Sequence, residues 1–217
     1  MRSIPLAVPA LLALLFAPSS CSRMYYGTME KLGYDKREIL VDRVEEARDD
    51  QEAAKEQFKT TLERFKEVTG NKIEGEDAYN ALNSEYEECE DRVATVKKRI
   101  ASVEDVSEAM FAEWDTEIGE MTTADLKAKS TELRRQSMQR YNELHSAMKS
   151  AESKMEPVLA AFKERVLFLK HNLNAAAIAS LQGTVVQIEG DVNGLITQME
   201  QAIAKANAFI DGMHQSS

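Results

Sequence analysis

Residues 155–209 read MEPVLAAFKERVLFLKHNLNAAAIASLQGTVVQIEGDVNGLITQMEQAIAKANAF, and this stretch decides the fold. In its second half, apolar residues stand at Ile178, Leu181, Val185, Ile188, Val192, Leu195, Met199, Ala202, Ala206 and Phe209. The steps alternate three and four without a slip, which is the seam of a helix packed lengthwise on another. In the first half, Val158, Leu159, Phe162, Val166, Leu167, Phe168, Leu169 and Leu173 make the segment apolar nearly all round. A helix apolar all round has to be covered by several neighbours. The spacing therefore predicts a central helix over 157–173, a hinge at His171-Asn172-Leu173-Asn174, and an antiparallel return from Ile178 to Phe209.

Working upstream, the same period recurs. Asp35 followed by Glu38 is a capping signal for a first helix that runs to about Thr69. Its seam carries Leu40, Val44, Ala47, Gln51, Ala54, Phe58, Thr61, Phe65 and Val68, with Gln51 as a polar register-setter or a point of fraying. After the turn GNKIEG (70–75), a second seam runs through Tyr79, Leu82, Tyr86, Cys89, Val93, Val96, Ile100, Val103, Ser107, Met110 and Trp114. A third helix, capped by Thr122 or Thr123, starts polar and settles into Tyr141, Leu144, Met148, Ala151, Met155, Val158, Phe162 and Leu169. Its register continues through Pro157, which predicts a kink and not a stop. Asn174 caps the fourth helix, whose Gly183, Gly190 and Gly194 are read as small residues that admit a close neighbour. The expected fold is all-α, an elongated antiparallel helical bundle or coiled coil of about four long helices. It spans 35–211 and ends in a frayed tail, 212–217.

Composition agrees with long helices. The chain has 217 residues, 43% hydrophobic and 29% charged, with only 9 Gly and 4 Pro to interrupt a helix. A formal net charge of -10 repels a polyanion, so nucleic acid is not an expected partner. The short basic runs Lys97-Lys98-Arg99 and Arg134-Arg135 lie among helical charges and read as solvated faces. No catalytic signature stands out. GNKIEG has Glu76 and Asp77 where a phosphate loop needs Lys and Ser or Thr. His145 has no carboxylate or histidine at i+3 or i+4, and His171 falls in the hinge as a turn or capping residue. Cys89 sits in a seam and reads as a small buried hydrophobe. No metal, cofactor or catalytic residue is expected.

The first twenty residues look like an export signal: Arg2, an apolar run from Ile4 to Phe16, then Ala17, Ser19 and Ser20. The run is shorter than the ~20 residues a membrane-spanning helix needs. Cys21 follows directly. The arrangement resembles the lipobox of bacterial lipoproteins, whose cysteine becomes the lipid-bearing first residue, with Pro18 departing from the usual Leu. Ordinary cleavage near 17–21 is the alternative. Residues 21–34 then form a lipid-attachment site and a short strap carrying Tyr25 and Tyr26.

Three stretches carry a wider resemblance: MYYGTMEKLGYDKREILVDRVEEARDDQEAAKEQF (24–58), VEDVSEAMFAEW (103–114) and MEPVLAAFKERVLFLKHNLNAAAIASLQG (155–183). They resemble an uncharacterised family of bacterial coiled-coil proteins, typically with an export or lipoprotein signal. The resemblance implies no activity, substrate or site residue. Some relatives carry a DNA repair ATPase label, which would need the nucleotide loop this chain lacks. Together these readings lead us to expect an exported protein of the cell envelope, anchored to the outer membrane through lipidated Cys21 or else free in the periplasm. Its expected role is structural, tethering or scaffolding. The alternative is a binding module that takes a small molecule or partner helix on the central apolar helix; an enzyme ranks last. Protein partners are not specified, and a homo-oligomer is compatible with the seams. The residues expected to hold the bundle are Phe58, Phe65, Tyr86, Val93, Ile100, Trp114, Phe162, Leu169, Ile178, Leu181, Ile188 and Leu195.

Overall fold

The computed structural model describes residues 35–70, 73 and 75–214. The expected leader, Cys21 and the strap lie outside the described residues. Four helices follow one another: α1 (Lys36–Thr69), α2 (Gly75–Glu120), α3 (Ala124–His171) and α4 (Ala175–His214). Among the described residues there is no strand.

Local signals set the ends. The Asp35 carboxylate accepts from the Glu38 amide at 2.9 Å, and Asn174 Oδ1 accepts from the Ala177 amide at 2.9 Å. Each satisfies one of the orphan donors of a first turn. Thr123 takes the extended N-cap backbone before α3 without a side-chain bond. Gly70 ends α1 by donating its amide to the Lys66 carbonyl at 2.9 Å. Gly75 has φ of 64°, a left-handed conformation that a side chain would strain, so glycine is needed where the chain turns into α2. The C-terminal boundary differs from expectation: Gly212, Met213 and His214 continue α4, with Met213 buried.

The helices run alternately up and down. Arg99 reaches Glu46 and Asp50 while Glu113 reaches Lys36, so α1 and α2 are antiparallel. Glu104 with His145 and Asp115 with Arg134 say the same of α2 and α3. Ser150 with Gln198 and Glu143 with Lys205 say it of α3 and α4. Lys66 with Glu189 closes α4 back on α1. The packing pairs are α1 with α2, α2 with α3, α3 with α4, and α4 with α1.

This closed square corrects one expectation. No helix is central. The apolar stretch belongs to α3 as far as His171, and α3 has two flanking neighbours like the other three. Leu169, Phe162 and Val166 are buried, but Leu167 is 53% exposed and Phe168 40%. α3 passes through Pro157 as one continuous helix.

The core is the set of seams. Phe58, Phe65, Val93, Ile100, Phe162, Leu169, Ile178, Ile188 and Leu195 are at most 2% exposed, and Tyr86 and Leu181 are buried. Each such side chain contributes ~1.5–3 kcal/mol by leaving water. Trp114 differs from the others, being only half-buried. The cause is unequal length. α2 has 46 residues and α3 has 48, against 34 in α1 and 40 in α4. Lys36 at the start of α1 pairs with Glu113, so beyond that level α2 and α3 continue as a two-helix hairpin. Trp114 stands where the square becomes a pair, and Leu126 and Leu133 further out are exposed.

Candidate functional site

Nucleophiles and bases are held in structural contacts. Cys89 is fully buried, its thiol 3.2 Å from Thr61 Oγ1. Burial pushes the thiol up to about 12 from an ordinary 9.0, against a smaller lowering by the Thr61 hydroxyl. A thiol so held is neither a nucleophile nor a metal ligand at neutral pH. His145 has a carboxylate partner from another helix: Glu104 on α2 lies 2.6 Å from Nε2. The spacing rule looked along one helix, whereas this partner comes from the next. The imidazole also stacks on Tyr141, centroids 5.7 Å apart. His171 is exposed at the hinge, where capping falls instead to Asn172, which donates to the Phe168 carbonyl at 2.8 Å, and to Asn174. Among the described residues no three His, Cys, Asp or Glu could share a metal ion.

The basic runs are occupied by carboxylates. Lys97 pairs with Glu156, Arg99 with Glu46 and Asp50, Arg134 with Asp115, and Arg135 with Glu132 at 2.6 Å. Cross-helix charges do similar work elsewhere. The Lys205 ammonium holds the Glu143 carboxyl below its usual range, and Glu189 with Glu63 holds Lys66 above its own. Exposed pairs of this kind are screened by solvent, so they trim helix register more than they stabilise the fold.

Two features remain. The first is a cavity of about 260 Å³ at the level where α1 begins. Met110, Trp114 and Leu133 line it with Lys36, Glu113 and Arg140. The Trp114 indole donates to Ser130 Oγ at 2.9 Å. Arg140 lies across the last turn of α4 because residue 212 is glycine; a Cβ there would stand 2.7 Å from its Nη1. Asp35, Glu113 and Glu117 face Lys36, Arg37 and Arg140 around it, so the charge of the lining selects neither an anion nor a cation. Reading the second seam as uninterrupted core hid this cavity, since Trp114 was assigned inside.

The second is the far end, around the hinge. No Asp, Glu, Lys or Arg stands between Lys170 and Glu189. On α4 the face opposite the core carries Ala176, Ala179, Gly183, Val186 and Gly190, all exposed, with Val186 at 76%. The glycines were expected to admit a close neighbour. Among the described residues they do not: a Cβ built on Gly183, Gly190 or Gly194 meets nothing within 4 Å. Each costs a helix interior ~1 kcal/mol relative to alanine.

No described helix is long and apolar enough to cross a membrane. A family model described as "Protein of unknown function (DUF2959)" matches residues 25–213. No curated protein matches the chain.

Proposed function

The chain belongs to the family whose model spans nearly all of it, and from that premise we propose that it is a lipid-anchored tethering rod of the bacterial cell envelope. The observation that supports this reading best is the continuity of the core. Buried seams run through all four helices, and α2 and α3, with 46 and 48 residues, reach about 70 Å at ~1.5 Å per residue. Such a body gives length, stiffness and charged outer faces, while Cys89 and His145 are tied into packing. Cys21, after an apolar leader, supplies the attachment. With three acyl chains at ~0.8 kcal/mol per buried methylene, the anchor would be firm.

The test is metabolic labelling with a radioactive fatty acid followed by envelope fractionation. The natural chain should take up label and sediment with the outer membrane; Cys21→Ala should do neither. An unlabelled chain that stays in the cytosol with its leader attached would sink the proposal. Crosslinking in intact envelopes, read by mass spectrometry, then identifies the proteins it holds.

A second reading, a helical binding module, is favoured by one observation: Leu167 and Phe168 of the 157–173 segment are left uncovered by the chain itself.

A further inference from the structure

We propose that the uncharged outer face of α4 between Ala175 and Gly190 is a self-association surface, on which two copies of this chain pair antiparallel, α4 against α4, about a two-fold axis near Gly183. The inference does not depend on the lipid anchor.

The face is unusual for this molecule. Charged residues make up 29% of the sequence, yet none falls between Lys170 and Glu189. Phe168 widens the apolar area. It stands five helical turns from Ser150, whose hydroxyl reaches Gln198, so it lies on the flank of α3 that faces α4. It is 40% exposed, and Val186 is 76% exposed. Among the described residues nothing stands beside Gly183 or Gly190, so the four-helix bundle gains nothing from the absence of a side chain. Glycine on an outward face is useful where another backbone comes close.

Charge selects the occupant. With a formal net charge of -10, two copies repel each other over most of their surfaces. On this face of α4 they can touch without setting carboxylate against carboxylate. The order of the residues is also self-complementary. About an axis at Gly183, Val186 of one copy falls between Ala179 and Gly183 of the other, and Ala176 falls opposite Gly190. Asp191 lies as far beyond Gly183 as Ala175 lies before it. Asp191 is exposed and has no ion-pair partner among the described residues. Pairing brings it to the level of the second copy's α4 N-terminus, whose first turn has no acidic residue, and of Lys170 and His171 at the end of α3. A helix N-terminus and two basic groups favour a carboxylate at that place.

The test is sedimentation of the full chain, made in a Cys21→Ala background so that acyl groups contribute nothing. The expected result is a concentration-dependent dimer in the micromolar range. Gly183→Leu and Val186→Glu should each leave a monomer at about 100 µM, and Asp191→Lys should weaken the dimer about tenfold. All three positions are exposed, so circular dichroism should report unchanged helicity. A chain that is monomeric at about 100 µM overturns the proposal, as does a dimer indifferent to all three substitutions. So does a monomer that uses this face for another occupant, shown by Val186→Glu abolishing its sedimentation with phosphatidylglycerol vesicles or its copurification with a different protein.

Discussion

The ring of Phe162 on α3 lies against that of Phe65 on α1, centroids 5.1 Å apart and planes 17° from parallel. α1 and α3 are diagonal in the square, so this contact crosses the core. Phe58, nearly two turns from Phe65 along α1, joins it with its centroid 6.1 Å from that of Phe162. Phe162→Ala removes the middle ring of the three and opens a cavity that neither neighbour can fill by a small shift. The expected loss is ~3–5 kcal/mol. In a body of this size that lowers the melting temperature by roughly 10 °C. Urea denaturation followed by far-UV circular dichroism checks it; a loss under ~1 kcal/mol would mean the diagonal stack is not the centre of the core.

Much of this could be read from residue order alone, for a physical reason. A buried seam repeats every three or four residues, and caps such as Asp35 and Asn174 act within one turn, so both are local signals. What escaped was set by relations between helices. Whether Leu167 and Phe168 are covered depends on how many neighbours α3 has, which its own composition does not encode. Trp114 has the correct seam position but lies at the level where α1 begins, a matter of helix lengths. Glu104 and His145 are 41 positions apart, and no helical spacing rule connects them. The glycines of α4 were recognisable as small, yet only the packed bundle reveals that they face outward.

Gln51 is fully buried in the α1 seam, and neither its side-chain oxygen nor its nitrogen has a hydrogen-bond partner among the described residues. It does not sit at a frayed point, since α1 continues unbroken around it. An amide held there without partners costs ~1–3 kcal/mol. Gln51→Leu should therefore raise stability by a similar amount, seen as a higher urea midpoint with unchanged slope. A fall in stability would show that the amide is satisfied after all.

Cys89 links the core to alkaline pH. Its folded thiol is raised to about 12 from 9.0, chiefly by desolvation. A raised value means the folded chain keeps its proton where the unfolded chain has lost it. That contribution is complete below pH 9 and is lost between 9.0 and about 12, at a slope of up to ~1.4 kcal/mol per pH unit. Cys89→Ala should be less stable at pH 8 through lost packing, but its stability should fall less steeply from pH 9.5 to 11. Parallel slopes would contradict the burial. In the natural chain a thiol reagent at pH 8 should modify Cys89 only after denaturation.

Gly194 offers the cleanest test of the outward-facing glycines, because it lies beyond the central part of the proposed pairing face. Among the described residues a methyl group at that position meets no neighbouring helix within 4 Å, and the residue is in the body of α4. Gly194→Ala can change little except the freedom of the unfolded chain and the propensity of the helix. Both favour alanine, together by ~1 kcal/mol. The melting temperature should rise by ~2–4 °C. The self-association constant should stay within about threefold of the natural chain's, since a single methyl at the margin of an interface shifts affinity by less than ~1 kcal/mol. A drop in melting temperature would mean that the monomer does use this glycine for packing, and the outward orientation of the α4 face would then be wrong.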